Sequence, residues 1–194
     1  MIEPIKRVST HHYPGGFTHL RLVAEGIAAK AQPGQWIVWG GRTLYIMRSD
    51  SQAGWIELLF TGETPHQEKI EGPGGEVPTV PEACSRSLLI GGVGALAQLI
   101  FFADSLRKRQ SHTPLLLLQA DQPLPFKPIP CRTMIPGMPA GVIATLPLLS
   151  DWGVALRIAS ADELAGCYHG RVDELAEQWL KAQPQPNEIT CIRL

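Results

Sequence analysis

Ser87-Leu88-Leu89-Ile90-Gly91-Gly92-Val93-Gly94-Ala95-Leu96-Ala97 decides how the rest of the chain is read. Leu88, Leu89 and Ile90 predict a short buried strand, Gly91, Gly92 and Gly94 a tight turn, and a helix follows at once. Glycine lacks a Cβ, so the chain can turn sharply there and a phosphate can approach its backbone. The helix points free N–H groups and the positive end of its dipole at the same spot. Residues 92–97 also read G-x-G-x-x-A, the pattern that opens many dinucleotide-binding units. Glycine-rich strand–helix turns serve close packing too, so this stretch alone leaves both readings open.

Downstream of the turn, helices and strands alternate. Residues 95–110 carry Leu96, Leu99, Ile100, Phe102, Ala103 and Leu106 over a wide apolar arc. Arg107, Lys108 and Arg109 sit at the helix end where the dipole favours cations. Residues 114–118 form a wholly apolar strand of the kind buried in a parallel sheet. Then come a proline-rich connection over 122–141, a short helix within 142–152 and a strand over 154–159. Val172, Leu175, Ala176, Trp179 and Leu180 mark an amphipathic helix, and a last strand is expected over 188–192. This alternation implies a parallel α/β nucleotide-binding domain over 82–194, with ligands at the carboxyl ends of its strands.

Upstream, the pattern is different. Short strands are expected over 8–13, 18–24, 35–39, 43–47 and 55–60, separated by Pro14-Gly15-Gly16, Pro33-Gly34, Gly40-Gly41 and Ser51-Gln52-Ala53-Gly54. Such spacing predicts a small antiparallel β-barrel over 1–81. The Gly/Pro-rich run at 71–81 is the expected boundary, giving an α+β chain of two domains.

Composition bounds the function. The chain has 194 residues, of which 44% are hydrophobic and 18% charged, so it can bury a substantial core. A net charge of −1, with no Lys/Arg stripe interleaved with aromatics, argues against a nucleic-acid partner. No signal peptide is legible at the N-terminus and no apolar run approaches the roughly 20 residues that span a bilayer. A cytoplasmic protein without membrane insertion is expected. Cys84, Cys131, Cys167 and Cys191 form no C-x-x-C, so no metal or iron–sulfur site is expected from this chain. His11 and His12 are adjacent in a strand and point to opposite faces, which disfavours a shared metal.

Several motifs fall in a telling order. Pro33-Gly34-Gln35-Trp36 resembles the P-G-Q-F start of a barrel strand, and Arg42-Thr43-Leu44-Tyr45-Ile46 an R-x-Y-S-type flavin motif. Gly62-Glu63-Thr64 resembles a G-x-G-T turn, and Leu89-Ile90-Gly91-Gly92-Val93-Gly94 an L-V-G-G-G-x-G nicotinamide-nucleotide motif. Gly166-Cys167-Tyr168-His169-Gly170-Arg171-Val172-Asp173-Glu174-Leu175 is similar to a G-x-x-G-x-V-x-D-L stretch. Together they resemble the ferredoxin–NADP reductase-like superfamily, nearest to the electron-transfer subunit of dihydroorotate dehydrogenase. The chain departs from that branch in three ways. Residues 189–194 carry no C-G-P-x-x-M motif, and no cysteine-rich [2Fe–2S] segment is present. Tyr45 stands where Ser or Thr would meet the flavin, and Leu44 where an aromatic often stacks.

The resemblance implies an NAD(P)H-linked flavin oxidoreductase, or electron-transfer subunit, that passes electrons to a redox partner; a homodimer stays open. It implies FAD held by Arg42, Leu44, Tyr45, Gly62 and Thr64. Arg42 would pair with the pyrophosphate and Tyr45 would contact the ring. NAD or NADP would be held by Gly91, Gly92, Gly94 and Ala95, with Asp121 accepting a ribose hydroxyl. The departures leave an alternative: a non-catalytic, degenerate reductase-fold protein acting as a nucleotide-binding or assembly subunit.

Overall fold

Alternating apolar residues build the first half of the computed structural model, which describes residues 1–194. Seven strands are involved: β1 (Ile2–Pro4), β2 (Lys6–Tyr13), β3 (Phe17–Val23), β4 (Trp36–Trp39), β5 (Arg42–Asp50), β6 (Trp55–Thr61) and β7 (Lys69–Gly74). They form one antiparallel sheet in the order β1-β7-β4-β5-β6-β3-β2. Every second side chain turns inward: Leu20 and Leu22, Ile37 and Trp39, Leu44 and Ile46, Ile56 and Leu58 share one core. β1 and β2 lie at opposite ends of the order yet are separated only by Ile5, whose N–H donates to the Glu68 carbonyl at 2.9 Å. One bent N-terminal segment therefore edges both sides, and the sheet curls round on itself. The short helix α1 (Glu25–Ala28) is fixed by Glu3, whose carboxylate accepts the N–H groups of Gly26 and Ile27, each at 2.9 Å.

β7 takes in the first part of the Gly/Pro-rich run at 71–81. That run reads as a boundary, yet its first residues join the sheet, and the Trp36 ring explains the glycines. A Cβ on Gly74 would lie 2.7 Å from that ring, and one on Gly75 equally close. Only glycine lets β7 pass beneath the indole.

The second half contains β8 (Arg86–Gly92), α2 (Leu96–Leu106), β9 (Thr113–Ala120), β10 (Ile129–Pro130), β11 (Ala144–Thr145) and α3 (Pro147–Asp151), followed by β12 (Ala155–Ser160), β13 (Tyr168–His169), α4 (Val172–Lys181) and β14 (Ile189–Arg193). β10 and β11 pair as a two-residue antiparallel ladder. The other five strands form a parallel sheet, in the order β13-β12-β9-β8-β14. Leu89, Leu116, Leu118 and Ile158 pack toward α2, while Leu88, Ile90, Leu115 and Leu117 pack toward α4. With both faces covered, the strands read as continuous apolar runs rather than alternating ones. Val172, Leu175, Ala176 and Trp179 are the buried stripe of α4.

The strand order reverses beside β8. The chain moves outward through β9, β12 and β13, then returns through α4 to place β14 on the other side of β8. Open α/β sheets bind ligands outside the carboxyl ends of strands at such a reversal. Gly91 and Gly92 end β8 at that point. α2 joins the halves: Phe101 enters the core of the curled sheet, while Phe17 and Met47 enter the core of the parallel one. No helix is long and apolar enough to cross a membrane.

Candidate functional site between the two sheets

The two principal motifs meet in one cleft of about 190 Å³. β5 and β6 contribute Arg42, Tyr45, Leu59 and Thr61; the glycine turn and α2 contribute Gly94 and Ala97. Arg42 and Gly94 are far apart in sequence, so only the docking of the sheets brings them together.

On the sheet side, Arg42 reaches past the end of β6. Its Nη2 donates to the Thr61 carbonyl at 2.6 Å and its Nη1 to the Glu63 carbonyl, with the guanidinium carbon 5.5 Å from the Phe60 ring centroid. Gly62 turns the chain with φ +84°, and a Cβ there would sit 3.5 Å from Nη2. Arg42 thus holds the 61–63 turn in shape, with its other N–H directions still able to meet an anion. Thr64 lies half-buried just beyond. Leu44 and Tyr45 both line the cleft, but strand alternation gives them different settings: Leu44 is 4% exposed and packs in the core of the curled sheet, while Tyr45 is 36% exposed.

On the other side, the three glycines differ in role. A Cβ on Gly91 would lie 3.1 Å from the Ala95 Cβ and 3.3 Å from Leu99, so Gly91 serves helix–strand packing. Gly94 is exposed, and the nearest atom to a Cβ there would be the Gln122 amide at 3.8 Å, leaving room for a ligand to reach the backbone. A Cβ on Gly92 would lie 3.1 Å from Asp121 Oδ2, and Asp121 Oδ1 accepts the Val93 N–H at 3.4 Å. Asp121 stands just beyond β9, against the glycine turn itself. Gly92 and Ala95, at the N-caps of the 3₁₀ turn at Val93–Ala95 and of α2, supply no side-chain cap, and Asp121 is the side chain that takes an N–H of this turn. Orphan donors of a helix's first turn suit phosphate oxygens, and Asp121 sets a carboxylate beside them. Ala95 is half-buried on that turn.

The remaining motif residues lie elsewhere. β14 ends alongside β8, where the Leu194 N–H donates to the Ile90 carbonyl at 2.9 Å. Cys191 is exposed and pairs in register with Leu88, short of the glycine turn. The Gly166 to Leu175 stretch opens α4, where Glu174 accepts the Arg171 N–H at 3.2 Å and Gln119 accepts that of Val172 at 2.7 Å. Phe17 and Gln122 also line the cleft. Sequence reading passed over both, because one reads as an ordinary strand residue and the other as part of a proline-rich loop.

No family model and no curated protein matches the sequence. Solved structures match the fold. The ferredoxin reductase in carbazole 1,9a-dioxygenase superposes with a TM-score of 0.71 at 14% identity, over 100% of this chain and 60% of that one. The chain has the ferredoxin-reductase fold. An NADH-dependent reduced ferredoxin–NADP oxidoreductase matches with a TM-score of 0.60 at 15% identity, over 91% of this chain and 62% of that one. This instance of the ferredoxin-reductase fold therefore spans about three-fifths of the length of those two reductases. The flavohem-like FAD/NAD-binding domain of nitric oxide dioxygenase from Vibrio cholerae O1 biovar El Tor is similar in length. It matches with a TM-score of 0.61 at 14% identity, over 99% of this chain and 98% of that one.

Proposed function

We propose that the chain is the cofactor-binding module of an NAD(P)H-linked flavin oxidoreductase that delivers electrons to a redox partner. The observation that carries this reading is the shared cleft, walled by Arg42 and Tyr45 from one sheet and by Gly94 from the other. The residues suit both cofactors. Phe17, Leu59 and Tyr45 offer apolar and aromatic surface to a flavin ring, and Arg42 offers donors to its phosphates. Gly92, Gly94 and the N-terminal end of α2 suit the phosphates of a nicotinamide nucleotide. Bound there, flavin would supply hydride acceptance and onward electron transfer. The chain's own part is to hold the two rings in contact and to orient them.

The cleft is smaller than the roughly 300 Å³ at which ligand pockets usually begin, so the rest of a dinucleotide would run along the exposed rim near Thr61 and Glu63. That small volume, the buried Leu44 and the engaged Arg42 support the second reading, a nucleotide-binding subunit without catalysis. Within the first reading we favour the dihydroorotate dehydrogenase electron-transfer branch, which rests on motif order alone. Titration with FAD and FMN separates the two. Saturable binding that perturbs the flavin band at about 450 nm supports the reductase. Stabilisation by NADH or AMP without any flavin binding overturns it in favour of the second reading.

A further inference from the structure

A second cavity, of about 320 Å³, opens on the far side of Leu59 between the outer face of the curled sheet and α2 and α3. Its walls are apolar: Met47, Leu59, Ile100, Phe126 and Leu148. Its floor is ionic. Glu57 is 2% exposed, and Arg21 grips its Oε1 through Nε at 3.0 Å and Nη2 at 2.6 Å. Arg48 reaches Oε2 only at 3.4 Å, and His19 Nε2 stands 3.5 Å from Oε1.

Arg21 answers the Glu57 carboxylate with a two-pronged contact. The charge of Arg48 is then under-compensated, and two cations face one anion. Arg48 and His19 line the cavity with 26% and 18% of their side chains exposed, while Arg48 Nε and His19 Nε2 are closed off within the cluster without a hydrogen-bond partner. Unpaired buried polar atoms are costly and rare. The Arg48 guanidinium also rests near the rings of Trp55 and Trp152, 5.6 Å and 5.2 Å from their centroids.

We propose that this cavity is a binding site for a small apolar monocarboxylate, with its carboxylate on Arg48 and His19 and its body against Ile100, Phe126 and Leu148. One surplus positive charge calls for one negative charge, and Glu57 beside it disfavours a multiply charged ligand such as phosphate. The apolar walls require a hydrocarbon body. The volume, at the small end of ligand pockets, restricts that body to about one ring or a short branched chain. Arg42, Tyr45 and the glycine turn take no part, so the proposal stands independently of the cofactor reading.

The test is a titration of the full chain with benzoate, isovalerate and hexanoate, read by the fluorescence of the adjoining Trp55 and Trp152 and by calorimetry. Benzamide serves as the neutral control. At least one acid should bind saturably at one site, with benzamide more than about tenfold weaker if benzoate is that acid. Arg48→Met should weaken binding by a similar factor. Leu148→Trp, which blocks the wall and leaves the ionic floor intact, should abolish it, whereas Tyr45→Ala should leave it unchanged. Thermal melts establish that each variant is folded. Failure of all three acids to bind the unaltered protein overturns the proposal. So does benzamide binding as well as benzoate, or undiminished binding by folded Leu148→Trp.

Discussion

Glu57 shows how a single residue's setting controls the acid stability of the chain. Burial alone would raise its pKa. His19 at 3.5 Å, the hydrogen-bonded Arg21 and the charge of Arg48 outweigh that and hold it at about 2 rather than 4.5. A carboxyl with a depressed folded-state pKa contributes fully above its unfolded pKa, and the contribution is lost as pH falls through the folded one. The chain should therefore lose on the order of 3 kcal/mol from this group between about pH 5 and pH 2. Glu57→Gln should be less stable at pH 7, because it leaves Arg21 and Arg48 unpaired, and should flatten that part of the pH profile; urea melts across the range measure both. Sequence reading did not single out Glu57, because a lone acid in an apolar strand gives no sign of its cross-strand partners. Its pairing with Arg21 appears only once the register of β3 on β6 is known. Asp121 poses the opposite case. The resemblance implies a ribose hydroxyl as its partner, and its carboxylate lies against the glycine turn. A carboxylate beside phosphates costs about 1 kcal/mol at water-like screening. Asp121→Asn should then tighten NADH about fivefold by calorimetry, whereas weaker binding would put Asp121 on the ribose.

Among the elements, α2 does the most to join the halves. Its sequence already showed a wide apolar arc, and the structure gives the cause. The helix meets the parallel sheet on one side and the curled sheet on the other, so even Phe101 is buried, at 5% exposure. Phe101→Ala should cost about 3 kcal/mol in chemical denaturation, in the range of large-to-small core changes. A change below about 1 kcal/mol would mean that the helix is not seated in the curled sheet. The strands of the second half were legible because two-sided burial leaves a continuous apolar signature. β1 and β7 were not, because each is short and β7 carries Gly72, Pro73 and Gly74. Their pairing depends on residues far away in the chain, and on a tryptophan that glycine alone can pass.

In the whole molecule, function rests on the meeting of the two sheets. The change from strand–turn rhythm to strand–helix alternation along the sequence marks the passage from the antiparallel sheet to the parallel one. The glycine turn pointed to the carboxyl end of β8, and the reversal of strand order lies beside it. The width of the cleft depends on how the sheets dock, and the carbonyls that Arg42 engages depend on the pairing of β5 with β6; no local pattern encodes either. The cavity beside Glu57 arises from the same docking, and so was equally invisible. The most direct test of the central claim is the visible spectrum of the protein mixed with FAD, recorded without oxygen before and after NADH is added. The account predicts a bound-flavin spectrum that bleaches with NADH, and Gly92→Val, which crowds Asp121 and the phosphate approach, should bind the flavin yet fail to bleach. Flavin that stays free in solution, or bleaching unaffected by Gly92→Val, would contradict it.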